Sequence, residues 1–233
     1  MKLLKLEFRL LKIDLFKLSL IIFVISILND MLLSLDKIIS FKITTSYVLM
    51  ALFGSAGNLP LGWINWILIC MGYLIILQII WKSKLHMVSV YQILRYKNLR
   101  LYWQTKFVTG LLITLCYVLV LLATTFIISI LFNARIIWDF QWLVVFLCLS
   151  LNMYIHALLW LTIKLYSTVE VAIIILCLLI YTGARIIKPY ILLYYGMRDQ
   201  IKQFLPLVFF VELFAIFVLF NLIVMKAKKM DLS

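Results

Sequence analysis

Residues 107–132 read FVTGLLITLCYVLVLLATTFIISILF, 26 residues without a charge. As an α-helix at 1.5 Å per residue the run is about 39 Å long, more than the roughly 30 Å hydrocarbon layer of a bilayer. Inside lipid only helices or closed barrels satisfy the backbone. Barrel strands alternate apolar and polar residues; this run is continuously apolar, so a helical crossing is expected.

Working outward, Leu61–Trp81, Trp142–Ile163 and Leu205–Met225 are runs of the same kind, each free of Lys, Arg and Asp. Two others are less clean. Leu18–Leu35 contains Asn29 and Asp30, and Val169–Ile187 holds Glu170, Gly183 and Arg185. The expectation is an all-α polytopic membrane protein, a single domain over 1–233, with six crossings at 18–35, 61–81, 107–132, 142–163, 169–187 and 205–225. Composition agrees: 67% of residues are hydrophobic and 13% charged, against roughly half and a quarter in soluble domains. Seven charged residues precede the first apolar run and no small-residue cleavage site follows it. The N-terminus therefore reads as mature rather than as a secretory signal.

Between Lys42 and Lys82 lie 39 uncharged residues, more than one helix needs. Gly54, Gly57 and Pro60 break the first part, which leaves Ile43–Phe53 too short to cross. That piece reads as re-entrant or interfacial; were it a seventh crossing, the termini would lie on opposite sides.

The formal charge of +13 comes with no nucleic-acid motif. In a membrane protein, lysine and arginine concentrate on the cytoplasmic side. With both termini inside, 15 basic residues fall on inner segments and seven on outer ones, which supports that orientation. The outer cluster Arg185, Lys188, Arg198 and Lys202 runs against it.

Three polar interruptions carry more information than the crossings. In residues 1–17, Leu4, Phe8, Leu11 and Leu15 form one helical stripe opposite Lys2, Lys5, Arg9 and Lys12, the pattern of a helix lying in the membrane interface. Residues 83–106 follow helical spacing through Met87, Val90, Tyr91, Leu94, Asn98 and Leu101, with Arg95, Lys97 and Arg100 off that stripe. They suit either docking to a cytoplasmic partner or headgroup contact with snorkelling lysines. Residues 183–206 are divided by Pro189, Gly196 and Pro206 and hold Tyr190, Tyr194 and Tyr195; they read as short helices dipping into the outer leaflet.

Ionisable residues inside a bilayer are costly and functionally suspect. Glu212, Asp30 and His156, with Asn152 one turn before it, are the candidates. They line a pathway or form interhelical polar contacts. Cys70, Cys116, Cys148 and Cys177 lie in separate apolar runs without metal-ligand spacing and read as packing residues. The sequence has no G-x-x-x-x-G-K-[ST] and no H-E-x-x-H, and Gly54-Ser55-Ala56-Gly57 does not fit G-x-S-x-G. No catalytic residue, cofactor or metal ligand is assigned, and an intramembrane enzyme centred on His156 or Glu212 is a remote alternative.

The order of parts resembles the permease subunits of ABC-2-type ABC transporters. It consists of a basic amphipathic N-terminus, a long helical inner segment between crossings two and three, the tight inner turn Lys164–Thr168, and a broken outer segment before crossing six. The stretch Tyr91-Gln92-Ile93-Leu94-Arg95-Tyr96-Lys97, with Arg100, Tyr102-Trp103 and Lys106, looks like the cytoplasmic segment of small Gram-positive permeases encoded with peptide toxin or bacteriocin systems. The outer basic cluster and the long uncharged lead into crossing two depart from the simplest family pattern.

The resemblance implies that residues 1–17 are an elbow helix and 83–106 a coupling helix. Tyr91, Leu94, Arg95, Lys97, Arg100 and Trp103 would then contact a separate cytoplasmic subunit that binds ATP and Mg. It also implies re-entrant helices before the last crossing, a second permease (identical or related), and a bacterial cell membrane location with cytoplasmic termini. Export of amphipathic peptides or lipid-like cargo follows from it. The alternative is a non-transporting immunity or sensor protein that binds an antimicrobial peptide at its outer face.

Overall fold

The computed structural model describes residues 20–25, 27–28, 44–53, 62–81, 99–131, 135–185 and 205–230. Among them the chain is helical, with no strand beyond a single bridge between Thr44 and Arg135. After the helical residues 20–25 and 27–28 come α1 (Thr45–Phe53), α2 (Gly62–Trp81), α3 (Leu99–Leu131), α4 (Gln141–Tyr166), α5 (Val169–Arg185) and α6 (Leu205–Met230). Three stretches are long and apolar enough to cross a membrane: Trp103–Leu131, Gln141–Tyr166 and Leu205–Lys226. Trp63–Gln78 and Val169–Gly183 are apolar but shorter. The expected interfacial helix over 1–17 lies outside the described residues, as does most of the outer segment expected over 183–206; its first three residues continue α5 and its last two begin α6.

α4 is the centre. Its buried side chains, among them Val145, Leu149, Met153, Ile155, Ala157 and Trp160, point in all directions around the axis, because α3, α5 and α6 pack around it. α4 and α5 are joined by Ser167 and Thr168 alone. The Ser167 N–H caps α4 on the Ile163 carbonyl at 2.8 Å, and Thr168 Oγ1 accepts from the Val171 N–H at the start of α5, as an N-cap threonine does. The tight turn expected at Lys164–Thr168 is thus a helical hairpin. On α5 the residues Ala172, Leu176 and Ile180 recur every fourth position and are fully buried, while Ile174 and Leu178 are exposed. Pro206 sits in the first turn of α6, where its missing N–H leaves no helical bond unmade.

Polar contacts between helices are short and local. The Tyr117 hydroxyl of α3 donates to the Ile69 carbonyl of α2 at 2.8 Å, and the Tyr73 and Thr114 hydroxyls bond one turn away. At Gly72 a methyl group would overlap Ile25 Cδ1, so the absence of a side chain lets the first helical residues lie directly on α2.

α1 has nine residues, about 13 Å of helix, too short for a seventh crossing. It does not lie on the surface, however: Leu49, Ala51, Leu52 and Phe53 are buried in the main core. Its two ends explain why. At the first, the Thr45 N–H donates to the Arg135 carbonyl, the Thr45 hydroxyl donates to the Ile137 carbonyl, and it accepts from the Ile137 N–H, each at 3.0 Å. At the second, Asn65 Nδ2 of α2 donates to the Leu52 carbonyl at 3.1 Å. The strap formed by residues 135–140 joins α3 to α4, so the start of α1 shares an end of the bundle with the end of α3 and the start of α4. The exposed side chains Ile136, Ile137, Trp138 and Phe140 crowd that end, and Trp138 and Trp142 pack around Phe126.

Candidate functional site

At the opposite end, Lys106 of α3 is close enough to act electrostatically on Lys164 of α4. Lys164 Nζ lies over the Trp160 ring at 4.8 Å and Lys226 Nζ of α6 over the Tyr166 ring at 4.9 Å, both cation–π contacts. Phe107 stacks on Phe220 at 4.4 Å, and the Tyr154 hydroxyl donates to the Phe107 carbonyl at 3.2 Å. α3 therefore begins where α4 and α6 finish, and lysines gather there.

α3 is continuous from Leu99 to Leu131, 33 residues, about 50 Å. Its first turns are the last third of the segment expected to be a coupling helix, so residues 99–106 and the membrane-length stretch that follows are one rod. Of the six expected contact residues, Tyr91, Leu94, Arg95 and Lys97 lie outside the described residues, and Arg100 is in the first turn of α3. Trp103 is half-buried and packs against the main core, not outward as a surface contact would. Lys106 is also buried.

The second region is the α4–α6 seam at mid-length. Asn152 lies close to the middle of α4, and Glu212 of α6 faces it. Asn152 Nδ2 donates to Glu212 Oε1 at 3.4 Å, a long bond. One turn further along α4, the His156 ring contacts the Asn152 carbonyl through Nδ1 at 2.8 Å. A carbonyl only accepts, so Nδ1 carries the hydrogen. All three residues are buried, Glu212 completely. Glu212 Oε2 and His156 Nε2 have no hydrogen-bond partner.

Three of the four suspect ionisable or polar residues thus come together in one seam; the fourth, Asp30, lies outside the described residues. The cluster offers a carboxylate, an imidazole and an amide in a dry setting, suited to holding a positive species. Among the described residues no three His, Cys, Asp or Glu side chains gather as a metal-binding group. Cys70 and Cys148 are buried thiols, Cys177 contacts Met71, and Cys116 is exposed.

Sequence reasoning missed Thr45, Asn65, Tyr73, Thr114 and Tyr117. The run Thr44-Thr45-Ser46 ahead of an apolar stretch is a capping signal that could have marked the start of α1. Nothing in the sequence marks its partner Ile137. No protein-family model, curated protein or solved structure matches the chain.

Proposed function

We propose that the chain is the permease subunit of an ATP-driven exporter of the ABC-2 type, moving amphipathic peptides or lipid-like cargo across a bacterial cell membrane. ATP and Mg are bound by a separate cytoplasmic subunit, and a second permease, identical or related, completes the pathway. The observation that carries this reading is the unbroken α3. A 33-residue helix outruns the roughly 30 Å hydrocarbon layer. It offers a stiff link from the basic segment around Arg95, Lys97 and Arg100 into the bundle. Motion imposed on that segment by a closing ATPase would be delivered to α4 and α6 through Phe107, Tyr154 and Phe220.

Six crossings with cytoplasmic termini fit the same arrangement. The lysine-rich end holds Lys106, Lys164 and Lys226 and becomes the inner face. The strap at 135–140, with exposed Trp138 and Phe140, becomes the outer face, where aromatic rings suit the headgroup level. α2, α5 and the expected crossing at 18–35, of which residues 20–25 and 27–28 are helical, supply the remaining crossings. The 17 residues of α5, about 25 Å, cross with slight local thinning of the bilayer.

Affinity capture of the tagged chain from its native host is the test. A P-loop ATPase should co-purify, and charge reversal at Arg95, Lys97 and Arg100 together should abolish that association and cargo resistance. Resistance that persists in cells lacking any such ATPase would instead favour an immunity protein that binds its peptide directly.

A further inference from the structure

The α4–α6 seam has more acceptors than donors. Glu212 contributes two carboxylate oxygens, and only Oε1 receives a bond, from Asn152 Nδ2 at 3.4 Å. His156 has committed its one neutral-state N–H, at Nδ1, to the Asn152 carbonyl, which leaves Nε2 as a lone-pair acceptor. Glu212 Oε2 and His156 Nε2 are both without a partner, at 0% and 1% residue exposure. A buried polar atom left unmade costs about 1–3 kcal/mol, and more for a charge. Asn152 and His156 share one face of α4 and Glu212 meets that face, so a small cation between the helices would satisfy acceptors that have no donor.

Among the described residues no side chain supplies one. α4 and α3 are the elements packed against α6. On α4 the other titratable groups are engaged elsewhere. Tyr154 donates to the Phe107 carbonyl, Lys164 sits over Trp160 and Tyr166 under Lys226, and Cys148 packs beside Val208. On α3, Tyr117 donates to the Ile69 carbonyl and Cys116 is exposed. Lys106 precedes Phe107, whose ring stacks on Phe220, eight residues and so about 12 Å along the axis from Glu212.

We propose that Glu212, with Asn152 and His156, forms a binding site for a small monovalent metal cation, sodium in the first instance, inside the bundle. The site stands independently of the exporter reading, since it rests on the seam alone. The lone carboxylate sets the ligand charge at one. The amide holds Oε1 in place, and Oε2 and Nε2 face the ligand as hard and borderline donors.

The test uses the purified full chain in mild detergent, with its thermal unfolding midpoint followed at constant ionic strength. Replacing choline by sodium from zero to about 100 mM should raise the midpoint by about 5 °C, and Glu212→Gln should remove that rise. Lowering the pH in choline should favour the wild type over the Glu212→Gln protein through plain protonation of a buried carboxylate, so the sodium response alone decides. His156→Ala should raise the cation concentration needed for half the effect several-fold, which keeps the site testable should Glu212→Gln not fold. Equal sodium responses in wild type and variant, or no sodium response in the wild type, overturn the proposal. A purely structural Asn152–Glu212 bond predicts an offset between the two proteins that sodium does not change.

Discussion

α4 and α6 are both 26 residues long, yet they occupy opposite environments. The membrane-length stretch of α4 is 67% buried and has mean hydropathy 1.9; that of α6 is 17% buried with mean hydropathy 2.8. In water the more apolar helix would be the inner one. Here it is the outer one, and it exposes Phe210, Phe214 and Phe217. Lipid accepts those rings at no cost, so burial is driven instead by polar groups and close packing. The polar side chains Asn152 and His156 accordingly sit on the central helix, and the one carboxylate of α6 turns toward it.

The sharpest way to break this contrast is to cut cavities in each helix. Leu149→Ala or Met153→Ala in α4 should cost about 2–5 kcal/mol, measured by denaturant unfolding in detergent, whereas Phe214→Ala in α6 should stay within about 0.5 kcal/mol. Equal losses would mean that the exposed face of α6 is covered in solution. Overfilling comes next. Gly72→Val should cost about 1–3 kcal/mol through its clash with Ile25. Thr45→Val, which keeps the shape but removes the hydroxyl contacts with Ile137, should cost about 1–3 kcal/mol because the strap's polar groups lose their partner. Smallest is Asn221→Leu. Asn221 Nδ2 donates only to the Phe217 carbonyl of its own helix, so this change should lie within about 0.5 kcal/mol and sharpens the view of α6 as a lipid-facing element.

Much of this was legible in the sequence. Length and charge-free composition mark α3, α4 and α6 without ambiguity, because the hydrocarbon thickness fixes how many residues a crossing needs. Pro60 and the glycines before it announce that α1 is short. That α1 is swallowed by the core was not legible, since its anchor is a threonine hydroxyl bonded to backbone atoms 92 positions away. Glu212 and the Asn152–His156 pair stood out separately as polar interruptions. Their meeting was hidden because spacing gives the faces within one helix but not which face of another it meets. The packing of Trp103 was hidden for a similar reason: an aromatic beside basic residues suits a docking surface, and only the continuing helix shows that it also packs against the core.

The clasp between Thr45 and residues 135–137 sets an order of assembly. α1 leaves the ribosome long before the strap that holds it, with 92 positions between the bonded partners. At roughly 5–20 residues per second, α1 waits on the order of 5–20 s with its end untied while α2 and α3 are delivered. The seam is later still, because Glu212 follows Asn152 by 60 positions. The end of the bundle that holds the strap is therefore the first to close and the buried carboxylate among the last groups to find its place, so truncating the chain just after α4 should leave α1 docked and the seam unmade.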